Sequence, residues 1–283
     1  MIKKYYQLAK PGIIYGNLIA TAAGFFLAAK GSVSLPLLLA TLFGTACIIG
    51  SACVFNNYID RHIDAKMFRT KNRALVRGTI SPQHALIYGT IVGIVGVGML
   101  YLFVNILTAA IGSTGFIVYA VLYGIWKRRS PFGTIIGSIA GATPPLAGYC
   151  AVTNRIDTAG IILFLILVFW QMPHFYAIAI YRLADYTNAQ IPVLPVVKGV
   201  HRTKIHMVIY LVGFIIATIL LRVFGYAGYI YLFIAIVLSL FWLVMCLQGF
   251  KTRDDKQWAK KVFRFSLIVI TILCIVMSIP GLV

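Results

Sequence analysis

Charged residues are absent from eight long intervals of this chain: 11–29, 31–59, 78–126, 130–154, 158–181, 205–221, 223–250 and 265–283. A charged side chain at the middle of a bilayer is costly, and one crossing uses about 20 apolar residues, so intervals of this length mark transmembrane helices. The longest, 78–126, is long enough for two crossings turning near Asn105. The pattern predicts an all-α, polytopic membrane bundle of nine transmembrane helices. With 61% hydrophobic and only 11% charged residues, and a mean hydropathy of +0.93, lipid rather than water is the solvent for most of the surface. The crossings leave no room for a soluble module, so residues 1–283 read as a single transmembrane domain.

The first apolar stretch, from Gly12 to Ala29, is span-length and leads into a further helix at Pro36, so it reads as helix one and not as a cleaved leader. Cys47, Cys53, Cys150, Cys246 and Cys274 all fall within spans and form no CxxC pair, which assigns them to packing. Threading nine helices gathers 22 of the 25 Lys and Arg on the amino-terminal side, leaving Lys30, Arg155 and Arg222 on the other. Basic loops stay inside, so the N-terminus is expected in the cytoplasm, the C-terminus outside, and the chain in the inner (plasma) membrane. Topology and anionic headgroups account for most of the +19 net charge, and nucleic acid is not needed.

Acidic residues are scarcer and therefore more informative. There is no Glu, and the six acids are Asp60, Asp64, Asp157, Asp185, Asp254 and Asp255. Asp254 and Asp255 lie in the polar run KTRDDKQWAKK, where surface pairing with lysines explains them. Asp60 and Asp64 end helix two in FNNYIDRHID, and with Asn56 they repeat every four residues, an arc of about 80° on a helix. Three oxygen ligands on one face form the partial shell that Mg²⁺ prefers when a substrate phosphate completes it. Lys66, Arg69, Lys71, Arg73 and Arg77 follow at once, and such cations stabilise a departing diphosphate. The plainer alternative is that the two aspartates only neutralise the loop cations.

A weaker copy follows helix six. An offset of 121 residues carries Asp64 onto Asp185, Arg77 onto Lys198 and Gly78 onto Gly199, while Tyr181 and Ala177 replace Asp60 and Asn56. This points to an internal repeat whose second half keeps one carboxylate. Loops near 56–82 and 181–204 are thus expected to form the mouth of an active site.

The stretch NNYIDRHIDAKMFRTKNRALVRG resembles the aspartate-rich motif of the UbiA-type intramembrane prenyltransferases. With WQMPHF at 170–175 and DYTNAQIPVLPVVKG at 185–199, the likeness narrows to the branch of that superfamily that prenylates haem, and it runs nearly end to end. The resemblance implies transfer of a farnesyl group from farnesyl diphosphate to a vinyl carbon of haem B, with water completing a hydroxyethylfarnesyl side chain to give haem O for a terminal oxidase or another downstream haem-handling enzyme, and with Mg²⁺ as the metal. It also implies that Asn56, Asp60, Asp64 and Asp185 hold metal and diphosphate. Arg69, Lys71, Arg73, Lys127, Arg128 and Lys198 would supply cations. Quinone-type relatives carry a second aspartate pair spaced by four, and here Tyr181 replaces its first member, which leaves the second metal site thin.

Ring faces can stabilise a carbocation, and Tyr58, Tyr119, Tyr123, Tyr181 and Tyr186 lie near predicted cytoplasmic helix ends. Interfacial anchoring explains most of them, and Tyr186, beside Asp185, is the one assigned to substrate. His174 follows Pro173 about 16 Å along the helix from Asp185, where it is either an interhelical hydrogen bonder or a contact to haem. Gly133, Gly137 and Gly141 form a small-residue packing face, and Pro144 and Pro145 are expected to break that helix beside a pocket. The rivals to haem farnesylation are a prenyltransferase for a quinone precursor or other aromatic acceptor, a haem carrier, and a transporter. A transporter wants ionisable groups near the midplane, whereas these aspartates cluster at one face.

Overall fold

A computed structural model describes residues 2–279, and among these no strand occurs. The helices are α1 (Ile2–Leu8), α2 (Pro11–Ala29), α3 (Leu35–Asp64), α4 (Pro82–Phe103), α5 (Ile106–Trp126), α6 (Gly133–Thr153), α7 (Thr158–Tyr181), α8 (Leu183–Asn188), α9 (Leu194–Val223), α10 (Tyr229–Lys251) and α11 (Asp255–Met277). Eight of them, α2 to α7 with α9 and α10, are long and apolar enough to cross a membrane, one fewer than the nine expected. The difference lies in α11. Lys256, Lys260, Lys261 and Arg264 are built into its first half, so its apolar tract runs only from Phe265 to Met277. The expected span 265–283 and the C-terminus extend into residues 280–283, which lie outside the described residues.

The long helices pack by contacts that put large apolar side chains outward. Leu102, Phe233 and Ile94 are 71%, 69% and 67% exposed, which suits a lipid-facing belt. Inside, α3 packs on α4, α2 on α6, and α7 on both α9 and α11. The expected turn at Asn105 is present: its side chain accepts from Thr108 N at 2.8 Å and donates to Cys150 O at 3.0 Å, so it caps α5 and ties it to α6.

The α2–α6 contact depends on two glycines. A Cβ at Gly24 would overlap the Pro145 carbonyl oxygen, and one at Gly148 would overlap the Thr21 carbonyl oxygen. This revises the expectation for Pro144 and Pro145. They do break α6, at Ala142, but both are buried, and the Pro145 carbonyl abuts Gly24 instead of lining a pocket. The glycine face of α6 serves packing as expected: Gly137 lies under the Tyr123 ring and Gly133 against the Lys127 backbone.

The offset of 121 residues holds for whole elements. It carries α2 onto 132–150 against α6, α4 onto 203–224 against the end of α9, and α5 onto 227–247 against α10. Gly78 and Gly199 both have positive φ, 65° and 79°. At Gly199 this conformation kinks α9, which only glycine tolerates without strain.

Candidate active site

The last turns of α3 carry the site. Asn56, Asp60 and Asp64 lie on one face, 4%, 8% and 5% exposed, turned into the bundle. Asn57 fixes this end of the helix by donating from Nδ2 to Leu8 O at 2.8 Å, which docks α1 beside it. Leu8 and Ala9 pack with Val54, Leu75, Ile80 and Ala85, so α1 and the loop after α3 share one small core.

Each of the three oxygen-bearing side chains is met by a cation from a different part of the chain. Arg73 donates to Asp64 Oδ2 at 2.5 Å. Lys127, at the end of α5, donates to Asp60 Oδ2, and Arg128 reaches Asp60 Oδ1 at 3.2 Å and the Ile59 carbonyl at 2.6 Å. Lys10 Nζ donates to Asn56 Oδ1 at 2.9 Å. Asn56 Nδ2 is buried with no hydrogen-bond partner among the described residues. Burial pushes the Lys10 ammonium down to about 8, with Arg73 and Lys127 acting in the same direction against Cys53 and Asp60. Burial likewise lowers Lys127, opposed by its contact with Asp60.

Sequence reasoning assigned Arg73 to this group, and Lys127 and Arg128 entered by resemblance. Lys10 was missed as a site residue. It stood in the chain only as a topological cation before Pro11, and what aims it at Asn56 is a left-handed backbone (φ 56°, ψ 67°) that spacing does not reveal. Such a conformation in a non-glycine residue is strained and persists only where surrounding contacts hold it.

The loop after α3 folds as consecutive turns, closed by Thr70 Oγ1 donating to Asp64 O at 2.9 Å. It brings the second loop alongside: Met67 is buried with Ala189 and Ile191, and Ile63, Tyr186 and Val193 pack around them. Burial raises the Tyr186 hydroxyl, opposed first by the charge of Arg69. Asp185 lies next to Tyr186, and Arg182 NH1 is 3.9 Å from its Oδ2. Lys71 sits over the Phe68 ring at 4.6 Å, exposed and, among the described residues, without an acidic partner, and Lys198 is exposed just before the Gly199 kink. The two loops therefore meet. Among the described residues, however, no three His, Cys, Asp or Glu side chains gather closely enough to hold a metal ion.

Tyr119 and Tyr123 stack at 5.4 Å on a π-helical turn, Val118–Tyr123, and Lys127 Nζ lies 4.9 Å above the Tyr123 ring. Such turns recur at functional sites because they re-aim side chains within a helix. Tyr181 lies elsewhere, against Phe263 at 5.7 Å, and Tyr58 carries Arg61 at 4.4 Å.

His174 sits in the α7–α11 seam, stacked on Trp170 at 4.7 Å and tilted against Phe263 at 5.0 Å. Its Nδ1 is 2.7 Å from Ser266 Oγ, and Ser266 Oγ itself donates to Phe263 O at 2.6 Å. The hydroxyl has one hydrogen, so His174 donates from Nδ1 and its Nε2 keeps a free lone pair. The packing role expected for His174 is present; Nε2 has no hydrogen-bond partner within the described residues.

At one end of an apolar helix bundle, then, a buried stripe of oxygens is met by a cluster of cations. The chain belongs to the UbiA prenyltransferase family, whose model matches residues 17–268. More narrowly, it is 54% identical over 280 residues to the protoheme IX farnesyltransferase of Serratia proteamaculans (strain 568), covering 99% of this chain and 95% of that protein. To the protoheme IX farnesyltransferase of Sodalis glossinidius (strain morsitans) it is 53% identical over 285 residues, covering 100% and 96%. In fold it is similar to a digeranylgeranylglyceryl phosphate synthase, with TM-score 0.81 and 20% identity over 98% of this chain and 97% of that one. It is also similar to a UbiA homolog from Archaeoglobus fulgidus bound to GPP and Mg²⁺, with TM-score 0.71 and 17% identity over 97% and 99%.

Proposed function

We propose that this chain transfers the farnesyl group of farnesyl diphosphate to one carbon of a haem B vinyl group while a water molecule adds its hydroxyl to the other, giving haem O, diphosphate and a proton. The observation that carries the prenyl-transfer reading is the convergence of Lys10, Arg73, Lys127 and Arg128 on the Asn56–Asp60–Asp64 face. The haem acceptor is supported by 52–54% identity over nearly the whole chain to protoheme IX farnesyltransferases.

The residues fit Mg²⁺ only together with substrate. They offer hard oxygen donors, one of them on a side chain with an orphaned buried amide, and too few carboxylates to hold an ion unaided. Asn56, Asp60 and Asp64 would hold the metal, and Asp185 of the second loop would add a carboxylate once substrate is bound; the metal would neutralise the diphosphate and make it a better leaving group.

Breaking the allylic carbon–oxygen bond concentrates negative charge on the diphosphate. Arg73, Lys127 and Arg128, already gathered at the carboxylates, meet that charge as it develops, and Arg69, Lys71 and Lys198 supply cations at the rim. The stacked Tyr119 and Tyr123 rings face the allylic cation, and Tyr186 closes the mouth on the other side. The apolar bundle holds the tail and delays bulk water until the vinyl carbon has been attacked. His174, deep in the α7–α11 seam, contacts the macrocycle.

On this reading the chain works as a single domain of the inner membrane, its site facing the cytoplasm and its product passing to a haem-handling enzyme or terminal oxidase. A reporter inserted at Arg155 is expected to read outside; a cytoplasmic signal there reverses the orientation. Acceptor choice is tested by offering labelled farnesyl diphosphate to haem B and 4-hydroxybenzoate together. Label in haem alone is expected, whereas label in the benzoate assigns the chain to quinone-type chemistry.

A further inference from the structure

Arg182 is held in a way its visible partners do not explain. It ends α7, its guanidinium lies 4.9 Å from the Tyr181 ring, and its Nε is buried with no hydrogen-bond partner among the described residues. Its nearest carboxylate, Asp185, is 3.9 Å away, at the outer limit of an ion pair, and the Arg182 side chain is 38% exposed. That contact reaches NH1 at the limit of an ion pair and leaves Nε unmet, so it does not account for a desolvated donor.

Below Arg182 an aromatic surface leads into the bundle. Tyr181 meets Phe263 at 5.7 Å, Phe263 meets His174 at 5.0 Å, and His174 stacks on Trp170 at 4.7 Å. His174 is eight residues before Arg182, about 12 Å along the helix axis. A flat ring system lying on this surface would reach from the seam to the mouth, with its polar edge at Arg182. A guanidinium presents a planar fork matched to a carboxylate, and one with an unsatisfied Nε has a donor to spare.

We propose that Arg182 is the receptor for a propionate carboxylate of the porphyrin acceptor, and that it orients the macrocycle against the Tyr181–Phe263–His174 surface. This rests on the haem reading above and names the part of the acceptor that reading leaves unrecognised. Propionates and vinyl groups occupy different edges of haem, so anchoring the acid edge at the interface decides which edge turns toward the diphosphate site. Arg182 thereby acts on acceptor specificity and leaves farnesyl diphosphate recognition to the α3 face, Asp185 and the cations gathered around them.

The test compares haem B with its dimethyl ester as acceptors for the full-length protein. The wild type is expected to favour the free acid at least about tenfold in kcat/KM, one charge-assisted contact being worth that much. Arg182→Gln is expected to lose that preference by raising KM for haem B, with KM for farnesyl diphosphate within twofold of wild type, and Arg182→Lys to recover only part of it. Equal use of acid and ester by the wild type overturns the proposal without any variant, as does an Arg182→Gln enzyme that still discriminates. A wild type that binds farnesyl diphosphate but converts neither porphyrin overturns the haem reading itself.

Discussion

Asp64→Asn is expected to lower farnesyl transfer by at least about a thousandfold while the protein still inserts and folds. The substitution keeps the size of the side chain and removes its charge. Asp64 is 5% exposed, and Arg73 donates to it at 2.5 Å, so the carboxylate both balances a cation and offers an oxygen to the metal. An amide in its place leaves Arg73 without an anion and the metal with one carboxylate fewer. A loss of about 4 kcal/mol in transition-state stabilisation corresponds to that factor. The loop itself is held by Thr70 donating to the Asp64 backbone carbonyl, a contact that the substitution leaves in place. Single-turnover rates beside a thermal unfolding profile separate the two effects. Wild-type turnover in a folded Asp64→Asn protein would sink the metal assignment and favour charge neutralisation as the role of these aspartates.

The second large effect is structural. Gly148→Leu is expected to abolish recovery of folded protein, because its Cβ would occupy the position of the Thr21 carbonyl oxygen and force α2 away from α6. Backbone cannot yield as a flexible side chain can, so the loss is expected to exceed about 4 kcal/mol, at the severe end of single substitutions. Gly98→Leu is the matched control, since a Cβ there meets nothing within 4 Å. Detergent-extracted yield and a monodisperse elution profile give the readout. Equal yields of the two variants would contradict the close α2–α6 contact, and with it the means by which α2 carries Lys10 to Asn56.

Residue chemistry alone exposed much of this architecture. The charge-free intervals located the crossings because charge at mid-bilayer is costly, and the length of the longest one required a turn near Asn105, where the side chain caps α5. The four-residue spacing of Asn56, Asp60 and Asp64 put them on one face, as α3 does. The count of crossings was less legible, because α11 carries four basic residues into its helical start and its apolar part is short.

What spacing could not convey was who pairs with whom. Lys10 reaches Asn56 across 46 residues and Lys127 reaches Asp60 across 67, contacts that exist only once α1, α3 and α5 have packed. The same holds for His174, whose hydrogen bond to Ser266 spans 92 residues and fixes a tautomer invisible in the chain. The burial of Arg182 Nε without a hydrogen-bond partner among the described residues also emerges only from the fold.

The most direct measurement incubates the purified protein with haem B and farnesyl diphosphate, with Mg²⁺ or with chelator, and reads the extracted haem by mass spectrometry. A hydroxyethylfarnesyl adduct that appears with Mg²⁺ and vanishes with chelator is the predicted result. Unmodified haem under both conditions, from folded protein that binds farnesyl diphosphate, would contradict it.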